Sequence, residues 1–265
     1  MESKAELKKF IGKISSNERF SFVRFSDGEL EILRGSRLVL GKSGVIWSKG
    51  QSSFQYPVYD HKDFDPTKDK ALMDALTASA VHQSDEYFKG IPTKHNGDAE
   101  ATALMITLNG GSSKNLTFAD LWINSNYKTF LKEAFPILRS RPVTLVANYR
   151  TRPERISEQW SLIPVPDGAF QDHGQVVADT LKKISLLPSG SIVLSSASSI
   201  SNLIGHQVSV QKLDVTFIDI GTALHEQLGF IDSKRLYLSQ VKPWRFSTLR
   251  YKLGYLASRG SRIKW

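Results

Sequence analysis

The sequence predicts an α/β fold with a mainly parallel sheet, followed by a basic aromatic C-terminal extension, and three observations support that reading. Short apolar runs alternate with amphipathic stretches along most of the chain, the pattern of strands joined by helices. The first apolar run ends directly in Asp27-Gly28-Glu29, two carboxylates set apart by a glycine, and strand ends are where open α/β sheets bind ligands. The net charge of +9 is concentrated at the end: residues 234–265 hold nine of the 35 basic residues and no acid, and the other 26 balance the 26 acidic residues. The expected division is one domain over 1–233 and an extension over 234–265.

Each element follows from its own pattern. Helices are expected over 5–14 and 28–33, on either side of a strand over 20–25. The segment 35–65 is rich in Gly, Ser, Lys and aromatics with weak periodicity, which predicts a mobile loop over a site. Asp65-Pro66 is a helix start, and Leu72, Leu76 and Ala80 share one face of the helix expected over 67–82. A strand over 87–91 follows, then a helix over 126–138, a strand over 143–147, a helix over 152–160 and a strand over 162–165. Val177, Leu181 and Ile184 stripe a helix over 173–187 that stops before Pro188 and Gly190. The chain continues with strands over 192–194 and 215–220 and helices over 199–210 and 222–228. The helical stripes are core positions rather than ligand sites.

Composition narrows the function. With 265 residues and 40% hydrophobic residues the chain can bury a sizeable core. Cysteine is absent, which excludes disulfides, thiolate nucleophiles and cysteine-ligated metals. The charged, helix-forming start and the lack of a long apolar run argue against secretion and membrane spanning, so a cytoplasmic protein is expected. The six histidines show no His-x-x-x-His pair, and neither a Walker lysine motif nor Gly-x-Gly-x-x-Gly occurs, which argues against zinc, nucleotide hydrolysis and a dinucleotide cofactor.

The chemistry is expected at Phe20-Ser-Phe-Val-Arg-Phe-Ser-Asp-Gly-Glu29. Asp27 and Glu29 can turn toward one point if Gly28 relaxes the backbone, and a hard cation, Mn2+ or Mg2+, takes oxygen ligands of that kind while binding substrate phosphates. Arg24, just before the turn, adds a positive group suited to a diphosphate. The residues taken alone also fit a second reading, in which Asp27 caps the following helix and Glu29 favours its positive end.

The same stretch resembles the signature of the GT-D type glycosyltransferases, bacterial enzymes whose motif runs Arg, aromatic, Gly, Asp, Gly, Glu. The resemblance continues in order through Lys89-Gly90-Ile91-Pro92, the segment 122–130 with Asn126-Tyr127, the strand 143–147, Ile163-Pro-Val-Pro166 and Phe217-Ile-Asp-Ile-Gly221, and so spans roughly residues 5 to 230. It implies a Rossmann-like fold with helices on both faces of the sheet, and a metal and nucleotide-sugar role for Asp27 and Glu29, with Arg24 as the family arginine. Three departures stand out. Ser26 replaces a glycine, Leu194-Ser-Ser-Ala-Ser-Ser199 replaces a glycine-rich loop, and Thr222 replaces a histidine after Asp219-Ile-Gly221. Donor contacts are therefore expected from Arg24, Gly28, Gly221 and the hydroxyls and amides of Ser195, Ser196 and Ser198.

Candidate bases for an acceptor hydroxyl are Asp98, Glu100, Asp219 and His225. Asn148-Tyr149-Arg150 lies past a strand end, where a nucleotide base or phosphate can sit. After Pro243 the chain places Phe246, Leu249, Leu253 and Leu256 at helical spacing among basic residues, a face that suits either an anionic membrane surface or packing on the domain. No nucleic-acid motif is recognisable. The expected function is transfer of a hexose from a nucleotide-sugar donor, a UDP-sugar, to a surface-polysaccharide, lipid-linked or glycoprotein glycan. The rival is a non-catalytic α/β module that binds anionic membrane or polymer through residues 234–265.

Overall fold

The computed structural model describes residues 3–41, 44–47, 50–52, 61–92 and 99–229. The expected extension over 234–265 and the candidate base Asp98 lie outside the described residues.

Seven strands form one sheet: β1 (Ser21–Arg24), β6 (Tyr87–Ile91), β7 (Leu116–Phe118), β8 (Val143–Asn148), β9 (Trp160–Val165), β10 (Ser191–Ser196) and β11 (Val215–Asp219). Their order is β7-β6-β1-β11-β10-β8-β9, and every neighbouring pair is parallel. The chain extends the sheet from β1 through β6 and β7, then crosses to the other side for the remaining four strands. All seven C-terminal ends therefore lie along one edge.

Period-two alternation sends side chains to two separate cores, as strands covered on both faces require. Val23, Val146, Val193 and Phe217 pack with α2 (Asp27–Leu33), α3 (Lys70–Val81), α4 (Ala99–Leu108), α7 (His173–Ile184) and α8 (Ile200–Val210). Their neighbours Phe22, Leu145, Leu194 and Ile218 pack with α1 (Ser3–Ser15) and the helical stretch 124–139. On that second face the ring of Phe10 meets Phe20, Phe22, Phe88 and Trp122 edge-on at 5.0 to 6.0 Å, the arrangement favoured by the ring quadrupoles. On the first face α8 sits unusually close to the sheet. A β-carbon on Gly205 would fall 2.4 Å from Val23 Cγ1, so glycine is what permits the approach.

The expected α/β class, parallel sheet and helices on both faces are all present, and several local expectations need correction. The segment 35–65 contains a four-stranded antiparallel sheet in the order β4-β3-β2-β5, built from β2 (Leu38–Gly41), β3 (Gly44–Trp47), β4 (Gly50–Ser52) and β5 (Lys62–Phe64). Leu38, Leu40 and Phe64 are buried, so the signal was a short alternation masked by glycine and serine. The helix expected over 152–160 is a single 3-10 turn, Pro153–Arg155, with Trp160 already in β9. Residues 221–229 form turns rather than a helix. The helix over 126–138 is broken into α5 (Tyr127–Thr129), a π-helical turn Phe130–Ala134 and α6 (Phe135–Arg139). Pro136 has no N–H to offer the carbonyl of Lys132, which favours that wider turn. Strand β7 and helix α4 had no clear signal.

Candidate functional site

The C-terminal edge of the sheet gathers a cluster of buried and half-buried charged groups around the end of β1. Arg24 closes that strand. Its Nε donates to the carbonyl of Ala119 at 2.7 Å, and its own carbonyl accepts from Asn202 Nδ2 of α8 at 2.7 Å. Its guanidinium lies against Gly221: a β-carbon there would fall 1.5 Å from Nη1. The φ of +51° at Gly221 suits glycine and lets the chain turn directly after β11.

Asp219, the last residue of β11, is 5% exposed and sits beside Arg24. Its Oδ1 accepts from the N–H of Gly221 at 2.8 Å. Burial pushes this carboxyl up to about 6 against the opposing influence of the Arg24 guanidinium and the backbone N–H groups, and nearby Glu29 pushes in the same direction as burial.

Glu29 is the hub of the second half. Its Oε2 accepts from the N–H of Ser26 at 3.2 Å and the hydroxyl of Ser26 at 2.9 Å, as the third residue of α2 does when it reaches back to its cap. Its Oε1 accepts from Ser199, at the N-terminus of α8, and from Lys62 of β5 at 3.5 Å. Lys62 Nζ also donates to Ser199 Oγ at 2.9 Å. Burial raises the pKa of Glu29, but Lys62 and the hydroxyls of Ser199 and Ser26 outweigh it and hold the carboxyl below its ordinary value. The pair Lys62 and Glu29 is nearly inaccessible to solvent.

Asp27 and Glu29 thus occupy different environments. Asp27 is exposed at the first position of α2, whereas Glu29 is 5% exposed. A carboxylate offers about four lone-pair sites, and those of Glu29 face four donors. A divalent ion bound to Oε1 about 4 Å from the Lys62 ammonium would meet a repulsion on the order of 8 kcal/mol at an effective dielectric of about 20. The two acids in this arrangement do not fit a shared metal ion. Among the described residues no three His, Asp or Glu side chains cluster as a metal site.

The remaining candidates divide along the same edge. Ser195 pairs with Ser201 Oγ at 2.8 Å, and Ser196 with His225 Nε2 at 3.1 Å. Ser198 is exposed with a φ of +54°. Gly28 is buried, and a β-carbon on it would lie 3.1 Å from Lys62 Nζ. Asn148 and Arg150 are tied to Asp167, at 2.8 Å from Asn148 Nδ2 and 2.6 Å from Arg150 Nη1, while Tyr149 stacks under the guanidinium. Glu100 is exposed on α4. His225 is buried in the turns after β11. Sequence reasoning missed Lys62, Ser199, Asn202 and Asp167. Ser199 lies in the run Leu194–Ser199 and Lys62 in the segment 35–65 expected to cover a site, whereas Asn202 and Asp167 carry no comparable signal.

No protein-family model matches the sequence, and no curated protein matches it. Solved structures do share the fold. A structure described as the selenomethionine-substituted domain of unknown function 1792 is 16% identical, covers 82% of this chain and 77% of its own, and has a TM-score of 0.53. A second, described as the highly conserved domain of unknown function 1792 with a distinct glycosyltransferase fold, is 15% identical over the same shares, also with a TM-score of 0.53. A third, described as a new glycosyltransferase (DUF1792) from Streptococcus sanguinis, is 14% identical, covers 82% of this chain and 80% of its own, and has a TM-score of 0.52. The chain has the fold of these domains. Among the described residues no helix is long and apolar enough to cross a membrane.

Proposed function

We propose that this chain is a glycosyltransferase that moves a hexose from a nucleoside diphosphate sugar, a UDP-sugar, to a surface-polysaccharide, lipid-linked or glycoprotein glycan. The observation that carries the reading is the cluster of half-buried Arg24 with buried Asp219, Glu29 and Lys62 at the C-terminal ends of β1 and β11. Burying ionisable groups opposes folding, and such clusters concentrate where a polar ligand is handled. Their position on a sheet shared with domains described as having a glycosyltransferase fold supports the assignment.

In this reading the bond from the anomeric carbon to the diphosphate breaks, and its electron pair leaves with the nucleoside diphosphate. The acceptor oxygen forms the new bond, and its proton passes to solvent water or to the departing diphosphate. Arg24, with Nε committed to Ala119, turns its Nη groups to the gathering charge. Asp219 is buried with Oδ1 on the N–H of Gly221 and attracts the Arg24 guanidinium electrostatically, so it is assigned to balancing that charge rather than to taking the acceptor's proton.

The test is calorimetric titration of UDP and a panel of UDP-hexoses, together with donor hydrolysis, on the full chain and Arg24→Ala. Donor binding by the wild type, weakened about tenfold or more by the substitution, is expected. A chain that binds and turns over no nucleoside diphosphate sugar, with or without Mn2+, refutes the proposal.

A further inference from the structure

Resting on the glycosyltransferase reading, one more role follows from the place where a metal ion was expected. The oxygen of Glu29 that would receive the ion already faces the Lys62 ammonium at 3.5 Å, and Ser199 at the start of α8 bridges the two. Three elements distant in sequence, α2, β5 and α8, therefore converge on one buried cation. An ammonium has three N–H groups. Two are directed at Ser199 and Glu29, the ammonium also lies 5.8 Å from the centroid of the Phe170 ring, and the third N–H has no hydrogen-bond partner among the described residues.

We propose that Lys62 takes the place of the divalent ion: it is a fixed positive charge at the C-terminal edge of the sheet, with Glu29 as its counter-ion, and it donates to the diphosphate of the donor. Lysine is a compact point charge that binds phosphate well, and one locked by a carboxylate and a hydroxyl loses little freedom when the ligand arrives. Gly28 belongs to the same arrangement, because a β-carbon there would press on Nζ at 3.1 Å. Glu29 then acts on the donor only through Lys62, and donor binding does not require a free cation.

The experiment compares the full-length wild type with Lys62→Met, Glu29→Gln and the Lys62→Met/Glu29→Gln double variant. UDP and UDP-hexose affinities are measured in EDTA and in Mn2+, and thermal midpoints are recorded. The wild type should bind in EDTA within about threefold of its affinity in Mn2+. Each single variant should lose thermal stability because it leaves a buried charge alone, and the double variant should regain most of it. The double variant should still bind UDP about tenfold or more weakly, which separates the functional charge from the structural ion pair.

Binding abolished by EDTA and restored by Mn2+ overturns this inference while leaving the glycosyltransferase reading intact. Wild-type affinity in a folded double variant overturns it as well. Absence of donor binding in both media removes the reading and the inference together.

Discussion

Arg24 lies over Gly221, so close that a β-carbon on residue 221 would fall 1.5 Å from Nη1. Gly221 also adopts a φ of +51°, a conformation that side chains seldom take. The end of β1 and the turn after β11 are thereby fitted to each other, and Asp219 stands at the same junction with its carboxylate on the N–H of Gly221.

Gly221→Ala should therefore move the guanidinium as well as strain the turn. The expected cost in stability is about 1–3 kcal/mol by urea unfolding. Turnover of a UDP-hexose should fall about tenfold or more. Gly190→Ala is the comparison, because its φ of +74° carries the same strain while nothing lies within 4 Å of the added carbon. That variant should lose stability and keep its turnover. Equal turnover in the two variants would show that the position of Arg24 is immaterial.

Asp219 supplies a pH dependence. Its folded pKa is raised from 3.8 to about 6, so the folded protein retains a proton that the unfolded chain releases between those values. The associated stability is fully present below the unfolded value and is lost as pH rises through about 6, a change on the order of 3 kcal/mol for this buried group. Asp219→Asn should remove that slope from melts recorded across the interval. Donor affinity in the wild type should weaken as pH falls through the same range, because a neutral carboxyl no longer attracts the Arg24 guanidinium. The groups facing Asp219 are Arg24, the N–H of Gly221 and Glu29, and an unchanged slope in the variant would show that Asp219 is not the group that titrates.

Gly205→Ala tests the packing that brings α8 to the edge of the sheet. The added methyl would meet Val23 Cγ1 at 2.4 Å and Phe217 Cε1 at 2.8 Å, both in the core. Urea unfolding should show a loss of about 1–3 kcal/mol despite alanine's better helix propensity. A gain in stability would mean that α8 can withdraw from β1 and β11 without penalty.

Much of the architecture was legible locally. Phe22 and Val23, or Phe217 and Ile218, are adjacent apolar residues that a doubly covered strand sends to opposite cores, and such runs mark parallel strands without further help. The stripe of Leu72, Leu76 and Ala80 marked α3, although the helix begins at Lys70, after a turn over 66–68, rather than directly after Pro66. The small antiparallel sheet was hidden because strands such as Lys62–Phe64 are three residues long, and one of the two buried positions in that strand is a charged lysine. Of the site, Arg24, Glu29, Asp219 and Gly221 do come together, but the cation beside Glu29 was not readable.

By itself the sequence determined the alternation of strands and helices, and with it the placement of Arg24, Asp219 and Ser196 at strand ends, because side-chain periodicity is a property of neighbouring residues. What Glu29 touches was decided only by the tertiary structure. Lys62 stands 33 residues from it and Ser199 stands 170. Their meeting depends on β5 pairing with β2 and on α8 packing against β1, and contacts of that separation leave no mark on the local pattern of either segment.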